Sequence, residues 1–311
     1  MTKRVVVIHD AAVDEYMSCI LLTTMEGVSL EGIVIVNADC IYGPAMDAGW
    51  KIQQFIGRTD IPLGLSNARG LNPFPWPYRG DCIKQGQIAA LAPLGPHPDW
   101  PPYPDGDAWL ESYLDGLDGQ VTLLCLCPAT TLSNLLKKRP DLAGKIEHMI
   151  WMAGAVNVAG NLDPDTLPVA NPYAEWNVFW DPPAGEWLLR NTDFPITVFP
   201  LDVTNTVPVS KEFLAALLEQ GKTYPYSNLA LQSYDLIADE PFYDMWDVVT
   251  TCYISHPEFF LSPTRMRLRI ATMGDMEGAM IPDDTAREVD VVLKLRDLDA
   301  YYDYVLRQFA R

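Results

Sequence analysis

The apolar and polar positions alternate between two periods along the first third of the chain. Val5-Val6-Val7-Ile8 is a β-branched run that reads as a buried strand and ends in His9-Asp10. Tyr16 to Met25 then has a helical pattern, with Asp14 and Glu15 in its first turn. Val28 to Asn37 reads as a second strand and ends at Ala38-Asp39-Cys40. Gly49 to Ile56 is helical in pattern, with Trp50, Ile52 and Phe55 on a buried face, and Ile61 to Leu65 is a short third strand. Strands alternating with helices predict βαβ units and a mostly parallel sheet flanked by helices, a Rossmann-like open α/β sheet.

From 66 to 106 the periodicity breaks. The segment Asn72-Pro73-Phe74-Pro75-Trp76-Pro77-Tyr78-Arg79-Gly80 excludes helix and interior strand, because its prolines lack an amide donor. Its aromatic content favours a lid or binding loop over a solvated linker. Regular structure resumes with a strand over Val121 to Cys127, then Pro128-Ala129-Thr130-Thr131 and a helix through Leu136. Further strands are expected over Ile146–Met152, Ile196–Leu201, Met266–Ile270 and Val289–Leu293. Helices are expected over Lys211–Glu219, Asn228–Ile237, Asp247–Ile254 and Leu298–Phe309. Asn157 to Pro172 is polar, and no repeat or composition break divides the chain, so 1–311 is expected to be one domain.

Composition narrows the partners. About half of the 311 residues are apolar, which fits a packed core. A formal net charge of −19 argues against nucleic acid and anionic membranes, and suits a neutral or cationic small ligand. The six cysteines lack metal-site spacing, and no secretory leader or transmembrane stretch stands out, so a reduced cytoplasmic location is expected. The four histidines are scattered and support neither a His-based metal cage nor a Ser-His-Asp triad. Catalysis here is expected to run on carboxylates.

Those carboxylates converge where open α/β sheets bind ligands, outside the carboxyl ends of the strands. Asp10, Asp14 and Glu15 would repel one another unless a cation sits among them, and hard oxygen donors point to Ca²⁺ or Mg²⁺. Asp14 and Glu15 could instead merely complement the helix N-terminus. Asp247, after Phe242, Tyr243 and Trp246, is either a helix cap or a further carboxylate of a metal cage. Glu175-Trp176-Asn177 combines a stacking face with an acceptor and a donor suited to sugar hydroxyls. A buried strand with a satisfied Glu and Asn is the alternative.

At this point the chain resembles the calcium-dependent nucleoside hydrolases, most closely their purine-specific branch. The acidic fingerprint Asp-x-Asp-Pro-Gly-x-Asp-Asp aligns with Ile8-His9-Asp10-Ala11-Ala12-Val13-Asp14-Glu15. Asn37-Ala38-Asp39-Cys40, Asn72-Pro73-Phe74-Pro75, Ala174-Glu175-Trp176-Asn177, Thr204-Asn205-Thr206-Val207-Pro208 and Trp246-Asp247 follow in order. The resemblance implies the nucleoside hydrolase fold, Ca²⁺, and hydrolysis of purine ribonucleosides to ribose and free base. It makes Asp10, Glu15, Asp247 and the carbonyl of Ala129 the metal ligands, with Asp10 also the general base. Asp14, Asn161, Glu175 and Asn177 would hold the ribose, with Trp176 beside them. Trp246 and Tyr78 would stack on the base, with Asp39 at its edge, and Trp246 would serve the departing base in place of a histidine. A homodimer or homotetramer is also implied. Ile8, Ala11, Ala12 and Glu15 depart from the fingerprint, which keeps two alternatives open: pyrimidine or modified nucleosides as substrates, or a non-catalytic nucleoside or ribose binder. Glu15 reaches about 1.5 Å further than Asp, which calcium's flexible coordination absorbs better than magnesium's octahedron.

Overall fold

In the computed structural model, residues 2–162 and 171–311 are described, so part of the polar segment 157–172 lies outside the described residues. Nine strands form one sheet: β1 Lys3–His9, β2 Val28–Ile35, β3 Leu63–Leu65, β4 Val121–Leu126, β5 Ile146–Met152, β6 Ile196–Phe199, β7 Thr264–Ile270, β8 Met280–Pro282 and β9 Glu288–Val291. The first half carries helices α1 Val13–Thr24, α2 Tyr42–Phe55, α3 Trp76–Arg79, α4 Asp81–Gln85, α5 Gly106–Gly116 and α6 Thr130–Lys138. The second half carries α7 Trp176–Phe179, α8 Pro182–Asn191, α9 Leu201–Thr204, α10 Lys211–Gln220, α11 Pro225–Tyr234, α12 Trp246–Cys252 and α13 Leu298–Phe309.

The strand order is β3-β2-β1-β4-β5-β6-β9-β7-β8. Strands β1 to β6 and β9 run parallel, while β7 is antiparallel to both β8 and β9. From β1 the chain builds β2 and β3 on one side, then crosses to start β4 on the other. That reversal makes the β1/β4 boundary a topological switch point, where a crevice opens beyond the strand ends. His9 is level with Ile35 on one neighbour and Leu126 on the other, so Asp10 emerges at the floor of that crevice.

Two apolar layers cover the sheet. Val5 and Val7 pack in the layer that includes α1 and α12, whereas Val6 and Ile8 pack in the layer with α5, α6 and α8. The alternation follows from the pleat of a strand buried on both faces. It also shows that Ile8 replaces the first acid of the fingerprint at a position inside the apolar core, away from the crevice. No helix among the described residues is long and apolar enough to cross a membrane.

Two local expectations are corrected. Asn72 to Gly80 is not wholly irregular: Trp76–Arg79 is a helical turn, because Pro77 lies in its first positions, where a missing amide costs nothing. Glu175-Trp176-Asn177 is not a buried strand, since the Glu175 carboxylate caps α7 by accepting the amides of Asn177 and Val178.

Candidate active site

A cavity of about 210 Å³ opens over the β1/β4 boundary. Its floor is Asp10 beyond β1, Ala12 and Glu15 at the start of α1, Asp39 beyond β2, Leu126 at the end of β4 and Met152 at the end of β5. Asn161, Glu175, Trp176 and Asn177 form one wall, and Tyr243, Trp246 and Asp247 another. Phe74, Tyr78, Asp81, Glu240 and Phe242 complete the mouth.

The turn after β1 is held by an unusual backbone. Ala11 has φ 69°, a left-handed conformation that costs a non-glycine residue about 1–2 kcal/mol. Its amide donates to Nδ1 of the buried His9 at 3.1 Å, which keeps the turn closed. Burial lowers the His9 pKa to about 3, so the ring stays neutral and Nδ1 stays an acceptor. The consequence is that the Asp10 side chain enters the cavity, where its Oδ2 accepts the Asp39 amide at 3.1 Å.

The floor acids strain against one another. Asp10 titrates well above the usual carboxylate range, first because of burial, then through repulsion from Asp39 and Asp247. Glu15 is raised by burial and then by Asp10, with which it shares a hydrogen bond. Burial also raises Asp39, reinforced by Glu15, and raises Asp247, reinforced by Glu15, Asp14 and Glu175. Glu15 Oε2, Asp39 Oδ1 and Asp247 Oδ1 are buried with no hydrogen-bond partner. Orphaned buried carboxylate oxygens are costly unless a cation or donor joins them, so this donor set suits a hard divalent cation. Among the described residues, no three His, Cys, Asp or Glu side chains are already gathered as a metal cage.

The wall that carries Asn161 and Glu175 is built by two segments in backbone contact. The Gly160 amide donates to Pro172 O at 2.7 Å and the Asn161 amide to Ala174 O at 3.1 Å. A Cβ on Gly160 would lie 2.0 Å from Ala174 O, so only glycine lets the segments meet. This contact brings Asn161 beside Trp176, whose amide donates to Asn161 Oδ1 at 3.2 Å. Glu175 accepts amides from Gly154 at 2.8 Å and Asn177 at 2.7 Å, and its burial still raises its pKa to about 7. Asn177 donates through Nδ2 to Met152 O at 3.1 Å.

On the other wall, Trp246 packs edge-on to Tyr243 with centroids 4.7 Å apart and donates through Nε1 to Asn205 Oδ1 at 2.8 Å. The loop at 66–80 is tied down at both ends of this mouth. Arg79 donates to Cys40 O at 2.8 Å and Asn37 Oδ1 at 2.9 Å, and Asn72 Nδ2 donates to Phe179 O at 2.8 Å. Tyr78 and Phe74 are thereby held at the cavity, with Phe74 5.0 Å from Trp176 between centroids.

Asp10, Glu15, Asp39, Tyr78, Asn161, Glu175, Trp176, Asn177, Trp246 and Asp247 therefore share one cavity. Two residues stand elsewhere. Asp14 is fully buried behind Glu15, where Oδ1 accepts Tyr234 Oη–H at 2.8 Å and Oδ2 accepts the amides of Asp247 at 2.7 Å and Val248 at 2.8 Å. It anchors the N-terminus of α12 instead of facing the cavity. Ala129 does not line the cavity, because α6 begins there and its carbonyl accepts the Ser133 amide at 2.9 Å along the helix. Leu126, three residues earlier at the end of β4, is the residue of that segment at the cavity. Sequence reasoning also missed Asp81, Glu240 and Phe242, which carry no periodic signal.

Comparison with solved structures gives the fold first. An inosine-uridine preferring nucleoside hydrolase from Bacillus anthracis superposes with TM-score 0.90 at 28% identity, covering 99% of each chain. The purine-preferring ribonucleoside hydrolase from Gardnerella vaginalis shares the fold with TM-score 0.80 at 15% identity, covering 99% of this chain and 98% of its own. This is the nucleoside hydrolase fold. The family model described as inosine-uridine preferring nucleoside hydrolase matches residues 5–303, and the chain belongs to that family of N-glycosidases. Among curated relatives, the pyrimidine-specific ribonucleoside hydrolase RihA of Shewanella woodyi is 25% identical over 222 residues, 70% of this chain and 66% of its own length. Uridine nucleosidase 1 of Arabidopsis thaliana is 22% identical over 294 residues, 90% of this chain and 82% of its own. The family is thus broader than the purine branch, and these two relatives are named for pyrimidine substrates.

Proposed function

We propose that this chain hydrolyses the N-glycosidic bond of ribonucleosides, purine ribosides foremost, to ribose and free base with Ca²⁺ as cofactor. The observation that carries the reading is the set of orphaned buried carboxylate oxygens beside Asp10, in a cavity at the sheet's switch point. Asp10, Glu15 and Asp247 would hold the cation, with the backbone at Leu126 better placed to join them than Ala129. When bound, the cation supplies the positive charge that keeps these acids ionised and a grip on the water and the ribose hydroxyls. The chain works as one unit, with 66–106 contributing the mouth, and the family resemblance supports a homodimer or homotetramer.

Asp10 takes the proton of the attacking water. It is suited to this because the Asp39 amide fixes one of its oxygens within the cavity. Glu175, Asn161 and Asn177 orient the ribose, held by backbone contacts that leave them little freedom. Positive charge grows on the sugar as the C1′–N bond lengthens, and the surrounding carboxylates stabilise it. Trp246, Tyr78 and Phe242 give the base a stacking surface and exclude water.

The breadth of this aromatic surface supports a purine. The pyrimidine names of RihA and uridine nucleosidase 1 favour the second reading, a uridine-type substrate. Base release from inosine and uridine decides between them. Higher kcat/KM for inosine supports the purine reading, and higher kcat/KM for uridine replaces it. Binding of both without base release would make the chain a binder instead of an enzyme.

A further inference from the structure

The segment Thr204-Asn205-Thr206-Val207-Pro208 has no part in the chemistry described so far, and Asn205 does not line the cavity. Its place in the fold gives it one. Residues 207–209 run antiparallel to 243–245, where the Met245 amide donates to Val207 O at 2.7 Å and the Val209 amide to Tyr243 O at 2.9 Å. This brace supports the wall that carries Tyr243, Trp246 and Asp247. Asn205 stands just before the brace, at the end of α9. Its amide donates to Leu201 O at 3.1 Å, and the fully buried Val207 anchors the chain two residues on. From this fixed backbone Asn205 Oδ1 accepts the Trp246 Nε1–H at 2.8 Å.

Trp246 is also held from its main chain, because it opens α12 and Asp14 Oδ2 accepts the two amides that follow it. That fixes the Cα but not the side-chain torsions that set the ring. An indole has one polar atom, a donor, so a single acceptor at its tip orients the whole plane. We infer that Asn205 is a positioning residue that locks the Trp246 indole in the plane that receives the base. The inference rests on the hydrolase reading of the cavity, and Asn205 acts on the substrate only through that ring. Because the acceptor sits on a fixed backbone, the ring is ordered before the riboside arrives, and less freedom is lost on binding. A ring ordered in the free protein serves ground state and transition state alike, so losing the lock should raise KM and leave kcat in place.

A double-mutant cycle tests this with whichever of inosine and uridine is cleaved better, reading KM, kcat and Tm for each variant. Asn205→Leu keeps the size but removes the acceptor. Asn205 is exposed and water competes for the bond, so KM should rise by roughly threefold to fivefold, with kcat and Tm unchanged. Asn205→Asp keeps an acceptor oxygen and should restore the original KM. Trp246→Phe keeps a ring but removes its N–H, and adding Asn205→Leu to that variant should raise KM no further. An unchanged KM in Asn205→Leu, an equal rise in Asn205→Asp, or the same further rise on top of Trp246→Phe would each overturn the inference. A loss carried by kcat, or one that tracks a fall in Tm, would overturn it too. No base release from either riboside by the unmodified protein would instead overturn the hydrolase reading, and the same cycle read as dissociation constants for inosine would then decide the inference.

Discussion

Replacing Asp14 by alanine should damage the protein through its fold before it touches the substrate. The carboxylate is fully buried and accepts three hydrogen bonds, from Tyr234 at 2.8 Å and from the Asp247 and Val248 amides at 2.7 and 2.8 Å. Alanine strands one phenol and two amides at the N-terminus of α12. A stranded buried donor costs about 1–3 kcal/mol, and water entering the space recovers part, so the expected loss is about 4 kcal/mol. Against a total stability of about 5–15 kcal/mol this is a large fraction, visible as a fall in Tm of about 10 °C. Asp14→Asn keeps an oxygen for the two amides and turns its NH₂ to the Tyr234 oxygen, so about 1 kcal/mol should be lost. Equilibrium urea unfolding of both variants measures the difference, alongside KM on the folded fraction. If Asp14→Ala lost under about 1 kcal/mol while KM rose more than about tenfold, the carboxylate would belong to the ribose subsite after all, as the resemblance implied.

Ala11→Gly should raise stability by about 0.5–1 kcal/mol in urea unfolding, because relief of the φ 69° strain outweighs the added freedom of the unfolded chain; a clear loss would show that the turn is unstrained. Glu175 binds its proton more tightly folded, with a pKa of about 7 against a usual value of 4.5. Its contribution is therefore fully present below pH 4.5 and lost as pH rises through about 7. Tm measured without added metal should fall across that window, and the fall should be smaller in Glu175→Gln; parallel profiles would place the titration elsewhere.

Much of this was legible in the chain because buried parallel strands are written as unbroken apolar runs. All of Val121–Leu126 is buried, and Ile146–Met152 is found with the bounds its pattern suggests. The acids at strand tips were legible for the same reason: Asp10 follows β1 and Asp39 follows β2. Helices with weak stripes were not. Gly106–Gly116 begins and ends in glycine, and Pro182–Asn191 opens on two prolines that read as a break but sit in a first turn capped by Asp181. The direction of a side chain was illegible too. Asp14 and Glu15 are adjacent acids, yet the helix turns one toward Tyr234 and the other into the cavity. Leu126 and Ala129 are only three positions apart, but the strand ends at the first and the second caps a helix.

The central claim is that the crowded carboxylates work around a divalent cation to cleave ribosides. Base release from inosine and uridine should be followed in protein stripped exhaustively by chelator, then through a calcium titration. The account predicts that stripping abolishes turnover of both and that calcium restores it at about one ion per chain, with Asp10→Ala inactive throughout. Turnover that survives stripping at the original rate would contradict it.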